Sequence, residues 1–309
     1  MILYAPNINS GGGLVLLNTV IEDEVFGKVT HLFIDKRCPL QFSQDDIIIE
    51  KVNPSLISRI YAEYKLKKLA FQNKEKEIVC FGNLPPLFKH KNNTKVFLQN
   101  AYLLRTIKLP RKIKNKLRIA YEKFIFYFFI KNVDQIIVQI EWMKENLKNY
   151  VNKDIQVKKI LPVLPQSSSN EFTGTYDIII LTNNEEHKNY KIIKSALNKL
   201  DINLKICLIS DTPPNINNRL ITVHYYNNLN RNDIFKLYWS SSAILLTSSF
   251  ESFCLPLYEA QHFKLKTIAP IAGYTKNLKI DYLFPSITEQ DIITIIKKFM
   301  KDEGKSYEN

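Results

Sequence analysis

The chain has 309 residues with 45% hydrophobic side chains, a length and composition that suit two ordinary domains, each burying its own core. Its 16 Tyr and 18 Phe exclude a disordered chain. A formal net charge of +13 asks for an anionic partner, whether nucleic acid, an acidic membrane surface or a phosphorylated ligand, and does not choose among them.

In chain order, residues 2–5 read as a strand. The run Ser10-Gly11-Gly12-Gly13 follows, and residues 14–25 carry helical character. Further strands are predicted over residues 31–34, 47–50, 78–81, 96–99 and 135–138. Alternation of this kind predicts a parallel sheet covered by helices. Residues 105–131 are rich in cations (Arg105, Lys108, Arg111, Lys112, Lys114, Lys116, Arg118, Lys123 and Lys131), with Glu122 the only acid, and they enclose an aromatic run over residues 124–130. Residues 162–175 break the pattern with Pro162, Pro165, three serines, Asn170 and Gly174; this is the linker expected between domains 1–165 and 166–309.

The alternation then restarts. Strands are predicted over residues 177–181, 204–210, 220–223, 243–247 and 267–269, and helices over 189–200, 232–240, 255–263 and 289–301. The expected fold class is α/β, with two Rossmann-like domains whose parallel sheets face each other across a cleft. In such sheets ligands bind at the carboxyl ends of the strands.

Four scattered cysteines, Cys38, Cys80, Cys207 and Cys254, form no C-x-x-C pair and have no histidine at finger spacing. They predict neither a structural metal nor a disulfide framework, and fit a reducing cytoplasm. The opening residues Met1 to Pro6 lack the basic lead and apolar core of a secretion signal, and no apolar run approaches the ~20 residues of a spanning helix.

The most informative run is Ser248-Ser249-Phe250-Glu251-Ser252-Phe253-Cys254-Leu255-Pro256-Leu257-Tyr258-Glu259-Ala260. A buried-type strand enters a loop and then a helix, with Pro256 in the first turn, where a missing N–H costs nothing. The backbone N–H groups of Phe253, Cys254 and Leu255 would then form an anion site at the helix start. Glu251 in the loop and Glu259 about one turn into the helix are strong acceptors for sugar hydroxyls. Taken singly, either glutamate could equally be a solvated surface residue. Together, the elements meet the needs of a nucleotide sugar.

This run is similar to the E-x7-E element of retaining glycosyltransferases of family 4, which have the GT-B fold. The family run reads roughly P-S-x-x-E-G-F-G-L-P-x-x-E-A, and residues 248–260 stand in register with it. The chain departs at Ser252 and Cys254, where the family prefers glycine. His187-Lys188-Asn189 resembles the P-H-K-N segment whose lysine contacts the donor diphosphate. The arginine that often precedes it is absent from Thr182-Asn183-Asn184-Glu185-Glu186. Gly11-Gly12-Gly13 resembles the first glycine-rich loop of GT-B transferases, with Gly12 and Gly13 placed for close approach of a donor; the plain alternative is a tight turn. Neither the full G-x-G-x-x-G fingerprint nor a Walker lysine is present. Gln99 and Asn100 stand where the family often has a histidine near the donor sugar, or they simply finish a strand. Asp281-Tyr282-Leu283-Phe284-Pro285 resembles a late D-A-x-Y-F-D-P segment of structural character.

The resemblance implies a hexose moved with retention from a UDP- or GDP-linked sugar to a glycan or polyprenyl-diphosphate-linked glycan, in O-antigen or capsule assembly. It implies that Glu259 binds the donor ribose and Glu251 the hexose. Lys188 and the amides at Phe253, Cys254 and Leu255 would stabilise the departing diphosphate. No D-x-D triplet occurs, so no metal and no other cofactor is expected; fixed cations and helix dipoles take the metal's place. Donor-base recognition is placed near residues 211–215 or 223–226. The basic, aromatic stretch from Arg105 to Lys131 suits an anionic membrane surface, which implies a cytoplasmic protein peripheral on the inner face of the membrane. Nucleic acid is not expected, since no RRM, KH or zinc signature accompanies the charge. Two competing readings stand beside this one: a GT-B epimerase of nucleotide sugars, and a non-catalytic basic nucleic-acid-binding protein, whose affinity would survive loss of Glu251 and Glu259.

Overall fold

The structure, a computed structural model, describes residues 1–39, 47–165 and 175–304. It divides into two compact units, Met1–Val163 and Leu164–Asn309. Of the expected linker, residues 166–174 lie outside the described residues.

The first unit runs β1 (Ile2–Ala5), α1 (Gly11–Glu22), β2 (His31–Asp35), β3 (Ile48–Val52), α2 (Leu56–Gln72), β4 (Ile78–Phe81), β5 (Thr94–Phe97), α3 (Ile113–Phe129), β6 (Gln135–Val138), α4 (Glu141–Leu147) and β7 (Asp154–Val157). All seven strands are parallel, in the order β3-β2-β1-β4-β5-β6-β7. Every residue of β1 and β4 is buried, as a parallel strand covered on both faces requires. That is why these strands read in the sequence as unbroken apolar runs. Leu3, Leu17, Val20, Leu32, Ile34, Val79 and Ile137 share one core, in which Phe81 stacks on Phe97 at 4.8 Å.

The second unit runs β8 (Tyr176–Leu181), α5 (Tyr190–Lys199), β9 (Leu204–Ile209), β10 (Ile221–Tyr226), α6 (Arg231–Trp239), β11 (Ser241–Leu245), α7 (Leu255–His262), β12 (Lys266–Pro270), β13 (Tyr282–Phe284) and α8 (Glu289–Asp302). Its six parallel strands take the order β10-β9-β8-β11-β12-β13. Ile178, Ile206, Leu208, Leu245 and Ile268 meet Ile193 and Leu197 of α5 and Ile296 and Phe299 of α8 in one core. Each fully buried side chain of this size contributes ~1.5–3 kcal/mol. Helix starts are capped from the sequence: the Asn230 side chain accepts from the Asp233 N–H, and that of Thr288 from the Asp291 N–H.

In both sheets the chain order reverses beside the first strand, between β1 and β4 and between β8 and β11. Loops leaving the carboxyl ends at such a point diverge and leave a crevice for a ligand.

Two sequence expectations shift. The first helix begins at Gly11, not at residue 14, because the glycines form its first turn; Gly11 sits at φ +66°, a conformation that side chains with a Cβ rarely adopt. The strand expected over residues 96–99 is β5, which ends at Phe97 and leaves Gln99 and Asn100 in the following turn. Helix α4 and edge strand β7 were not foreseen; both are short, and β7 buries only Ile155 fully.

Candidate active site

The site of the second unit is built on the two loops that leave β8 and β11. Asn189 ends the first loop in the left-handed conformation, φ +55°. Its side-chain amide donates to the Thr247 carbonyl at 2.7 Å and to Ser249 Oγ at 2.8 Å. In return, Thr247 Oγ1 donates to the Lys188 carbonyl at 2.7 Å, and the Ser249 N–H donates to the His187 carbonyl at 2.8 Å. Tyr274, from beyond β12, donates to the Ser248 carbonyl at 3.0 Å. These bonds, one between backbones and the rest from side chains, lock the loops together, so the side chains they carry meet in a fixed geometry.

The side chains that meet are Lys188 and Glu251. Lys188 Nζ donates to Glu251 Oε1 at 2.5 Å, with the two side chains 19% and 14% exposed. Burial opposes both charges, but the pairing outweighs it. The Glu251 carboxyl lies below its ordinary pKa because Lys188 faces it, and the Lys188 ammonium lies above its own because Glu251 does. Both are therefore charged at neutral pH. The His187 ring stacks on Phe250 at 5.0 Å beside this pair, and burial lowers its pKa.

Helix α7 begins just beyond Glu251. Cys254 caps it at φ +60°, and Pro256 occupies the first turn. The left-handed Cys254 gives the physical reason why glycine suits that position. Among the described residues no acceptor takes the N–H of Phe253, Cys254 or Leu255. Three orphan donors at a helix start beside a lysine make a site for phosphate oxygens.

Glu259 lies one turn into α7 and is 3% exposed. Its Oε2 accepts from the Tyr238 hydroxyl at 2.8 Å, and its Oε1 from Arg231 Nη2 at 2.7 Å. Burial and the Glu259 charge push the Tyr238 hydroxyl well above its usual pKa, so it stays a donor. Neither glutamate of the 251–259 pair is a solvated surface residue. A carboxylate offers about four lone-pair sites, so Glu259 keeps acceptor capacity for hydroxyls beyond its two protein partners.

Arg231 and Tyr238 were missed in the sequence. Asn230 and Asp233 signal a capped helix start directly after β10, which puts Arg231 at the carboxyl edge of the sheet. That signal was readable. The packing of Tyr238 against Glu259 was not, because it joins two helices far apart in sequence.

Gly12, Gly13, Gln99 and Asn100 lie in the first unit, after β1 and β5. A Cβ added to Gly13 would stand 3.1 Å from Gln99 Oε1, whereas Gly12 faces open space. Asn83 Oδ1 accepts from the backbone N–H of Gln99 at 2.6 Å and of Asn100 at 2.8 Å. Nearby, Gly82 at φ +122° passes so close to Asn7 that a Cβ there would stand 2.3 Å from Asn7 Oδ1. The Asn100 side chain caps the turn Ala101–Leu103, while Gln99 Nε2 is buried with no hydrogen-bond partner. Gln99 is thus the residue of the two with a donor still to offer. Among the described residues, no group of three His, Cys, Asp or Glu side chains is placed to hold a metal ion.

Comparison with known proteins bears on the fold and on the second unit. Residues 166–309 match the family described as "Glycosyl transferases group 1". Curated protein sequences give no match. Among solved structures, the chain is similar to sucrose-phosphate synthase from Thermosynechococcus elongatus (TM-score 0.73, 11% identity, 98% of this chain and 90% of that one). It is similar to Anabaena HepE, solved with UDP and glucose (TM-score 0.70, 13% identity, 98% and 90%). It is also similar to WaaG, a glycosyltransferase involved in lipopolysaccharide biosynthesis (TM-score 0.67, 12% identity, 98% and 90%). At such identities these likenesses speak for the fold alone, which is GT-B.

Proposed function

We propose that the chain is a retaining, metal-independent glycosyltransferase that moves a hexose from a UDP- or GDP-linked sugar to a glycan or lipid-linked glycan in surface-polysaccharide assembly, such as O-antigen or capsule. The observation that carries this reading is the Lys188–Glu251 pair, held by interlocked loops beside three free N–H donors at the start of α7. Lys188 and those donors hold the diphosphate and take up charge as it leaves. Glu251 accepts from hydroxyls of the hexose, and Glu259 from those of the ribose. In the transfer, the bond from the anomeric carbon to the β-phosphate oxygen breaks. The acceptor hydroxyl bonds to that carbon on the same face, and its proton goes to the leaving diphosphate, so no protein base is required.

The acceptor end of this reading places the protein on an anionic membrane. Helix α3 exposes Ile113, Leu117, Tyr121, Phe124 and Phe128 at spacings of three and four residues, a single stripe along one face. Lys114, Lys116 and Arg118 flank it. Arg105 and Lys123 of the same basic segment are engaged by neighbours in the unit: the first lies 4.4 Å over the Tyr127 ring, and the second donates to the Ile107 carbonyl at 2.8 Å. Among the described residues, no helix is long and apolar enough to cross a membrane.

A thermal-shift screen of the intact chain against UDP, GDP, UDP-hexoses and GDP-mannose tests the donor site. A ligand at ~100 Kd should stabilise by about 2.7 kcal/mol. Wild type should respond to one nucleotide class, and Glu259→Gln, which keeps the shape of a buried side chain, should lose that response. Silence from every nucleotide, with the protein folded, overturns the reading.

A further inference from the structure

A cavity lies in the first unit, away from every site residue assigned so far. It measures about 420 Å³ and is lined by the second half of α2, by Lys74 just past it and by residues 89–92, the segment that enters β5. These elements sit at the amino ends of β4 and β5, whereas Gly13 and Gln99 follow carboxyl ends. The size falls within the ~300–1,000 Å³ of small-molecule sites.

Its chemistry is one-sided. Lys67, Lys68, Lys74, Lys89 and Lys91 line it, and no carboxylate does. Asp134 reaches Lys89 only at 3.9 Å, and among the described residues no carboxylate pairs with the other four. Lys67 and Lys74 instead lie over aromatic rings, 4.9 Å from Phe88 and 4.9 Å from Phe71. Five like charges gathered with only one distant counter-ion raise one another's energy, and an anion relieves this. The floor is Ala70, Asn92 and His90. The Asn92 amide is used up on the Asn73 and Lys76 carbonyls, at 2.8 Å each. His90 is 8% exposed, and its Nε2 has no hydrogen-bond partner. The floor therefore offers the His90 ring nitrogen to a ligand.

The walls point to an amphiphile. Tyr64 and Phe71 line the cavity yet stand 63% and 69% exposed. They continue an apolar row along α2 that begins with Ile57 and Ile60. The crossovers β3-α2-β4 and β5-α3-β6 run the same way along the sheet, so right-handed connection puts α2 and α3 on one face. Residues 86–87 tie the helices together there: the Leu87 N–H donates to Glu63 of α2 at 2.9 Å, and Asn132, just past α3, donates to the Pro86 carbonyl at 3.0 Å. The cavity thus opens within an apolar, lysine-ringed face carried by two helices.

We propose that this cavity is a headgroup site for an anionic glycerophospholipid, with the phosphate among the lysines and His90 Nε2, and the glycerol and first acyl carbons against Tyr64 and Phe71. The same lysines could hold a soluble phosphate ester, but the exposed aromatic walls favour the lipid. The site is independent of the nucleotide site, so either can fail without the other.

Calorimetric titration of the intact protein with short-chain phosphatidylglycerol, short-chain phosphatidylcholine and glycerol 3-phosphate tests it. Saturable binding of the phosphatidylglycerol is expected, with the other two much weaker. Lys67→Ala/Lys91→Ala, at two exposed positions, should weaken it about thirtyfold, on the order of fivefold per lysine. His90→Phe should weaken it as well, while Lys114→Ala/Lys116→Ala on α3 should leave it unchanged. Glycerol 3-phosphate binding as tightly as the lipid would overturn the lipid assignment. Equal binding of the two lipids, no binding, or indifference to Lys67→Ala/Lys91→Ala would overturn the site itself.

Discussion

Two clusters of positive charge, one in the first unit and one in the second, are handled in opposite ways. In the second, Lys188 and Arg231 each touch a buried glutamate, and the loops bearing Lys188 and Glu251 are stitched together by four hydrogen bonds. In the first, Lys67, Lys68, Lys74 and Lys91 crowd one cavity with no carboxylate among its lining residues. A charge fixed by a buried partner keeps its position when water and salt change, and can act on a single bond. A charge on an exposed lysine without a partner is soft in position and screened over about 10 Å at 0.1 M salt. On the proposed reading, the difference separates a place that does chemistry from a face that adheres to a membrane.

The largest expected effect tests the first half of that contrast. Glu251→Gln or Lys188→Ala should lower turnover of the donor sugar by about 10²–10³, the range for removing one fixed group that stabilises developing charge. Lys67→Ala/Lys91→Ala should leave turnover of a soluble acceptor unchanged. Steady-state rates on the donor found by thermal shift decide this. An Lys188→Ala enzyme with near-normal kcat would show that the pair is structural and would end the contrast.

The next effect is on stability and its pH dependence. Breaking a buried pair from one side costs on the order of 3–5 kcal/mol, because the other charge is stranded. Lys188→Met and Glu251→Gln should each be less stable than the double variant carrying both, whereas Lys67→Ala/Lys91→Ala should stay within about 0.5 kcal/mol of wild type. Glu251 has its carboxyl pKa lowered by the fold, so its contribution is present above the unfolded value of about 4.3 and is lost as pH falls through the folded one. Lys188 has its pKa raised, so its contribution is present below about 10.4 and is lost as pH rises through the folded value. The stability difference between wild type and the double variant should therefore be greatest at neutral pH and shrink toward both extremes. Urea unfolding across pH measures it; a flat difference would mean that the ion pair does not form in solution.

The contrast also marks how far the sequence could be read. The parallel sheets were legible because strands such as β1 and β4, buried on both faces, leave unbroken apolar runs. Lys188 and Glu251 were legible because both lie in the segments that follow such strands, where a doubly wound fold places its ligands, and because those segments resemble the H-K-N and E-x7-E elements. Arg231 stood at an equally readable strand-to-helix junction, but a lone arginine carries no pattern. The Tyr238–Glu259 bond and the lysine-lined cavity were beyond reach. Each depends on which helix faces lie side by side, and α2, with exposed Ile57 and Ile60 beside buried Ala62 and Leu66, shows no clean division of faces in its sequence.

The smallest effect concerns how firmly the second-unit site is held. Cys254 keeps a left-handed backbone, φ +60°, between Glu251 and the free N–H groups of α7. A residue other than glycine in that conformation costs on the order of 1–3 kcal/mol, which the surrounding structure must supply. Cys254→Gly removes the strain but also gives up a buried thiol, 5% exposed, and adds backbone freedom to the unfolded chain. The opposing contributions should leave stability within about 1 kcal/mol of wild type. If the interlocked loops alone fix the geometry, the glycine variant should bind nucleotide with wild-type affinity. A loss of affinity without loss of stability, read by titration calorimetry beside urea unfolding, would show instead that the strained cysteine itself aims the N–H donors. The site would then be held by its own backbone more than by the bonds from Asn189 and Thr247.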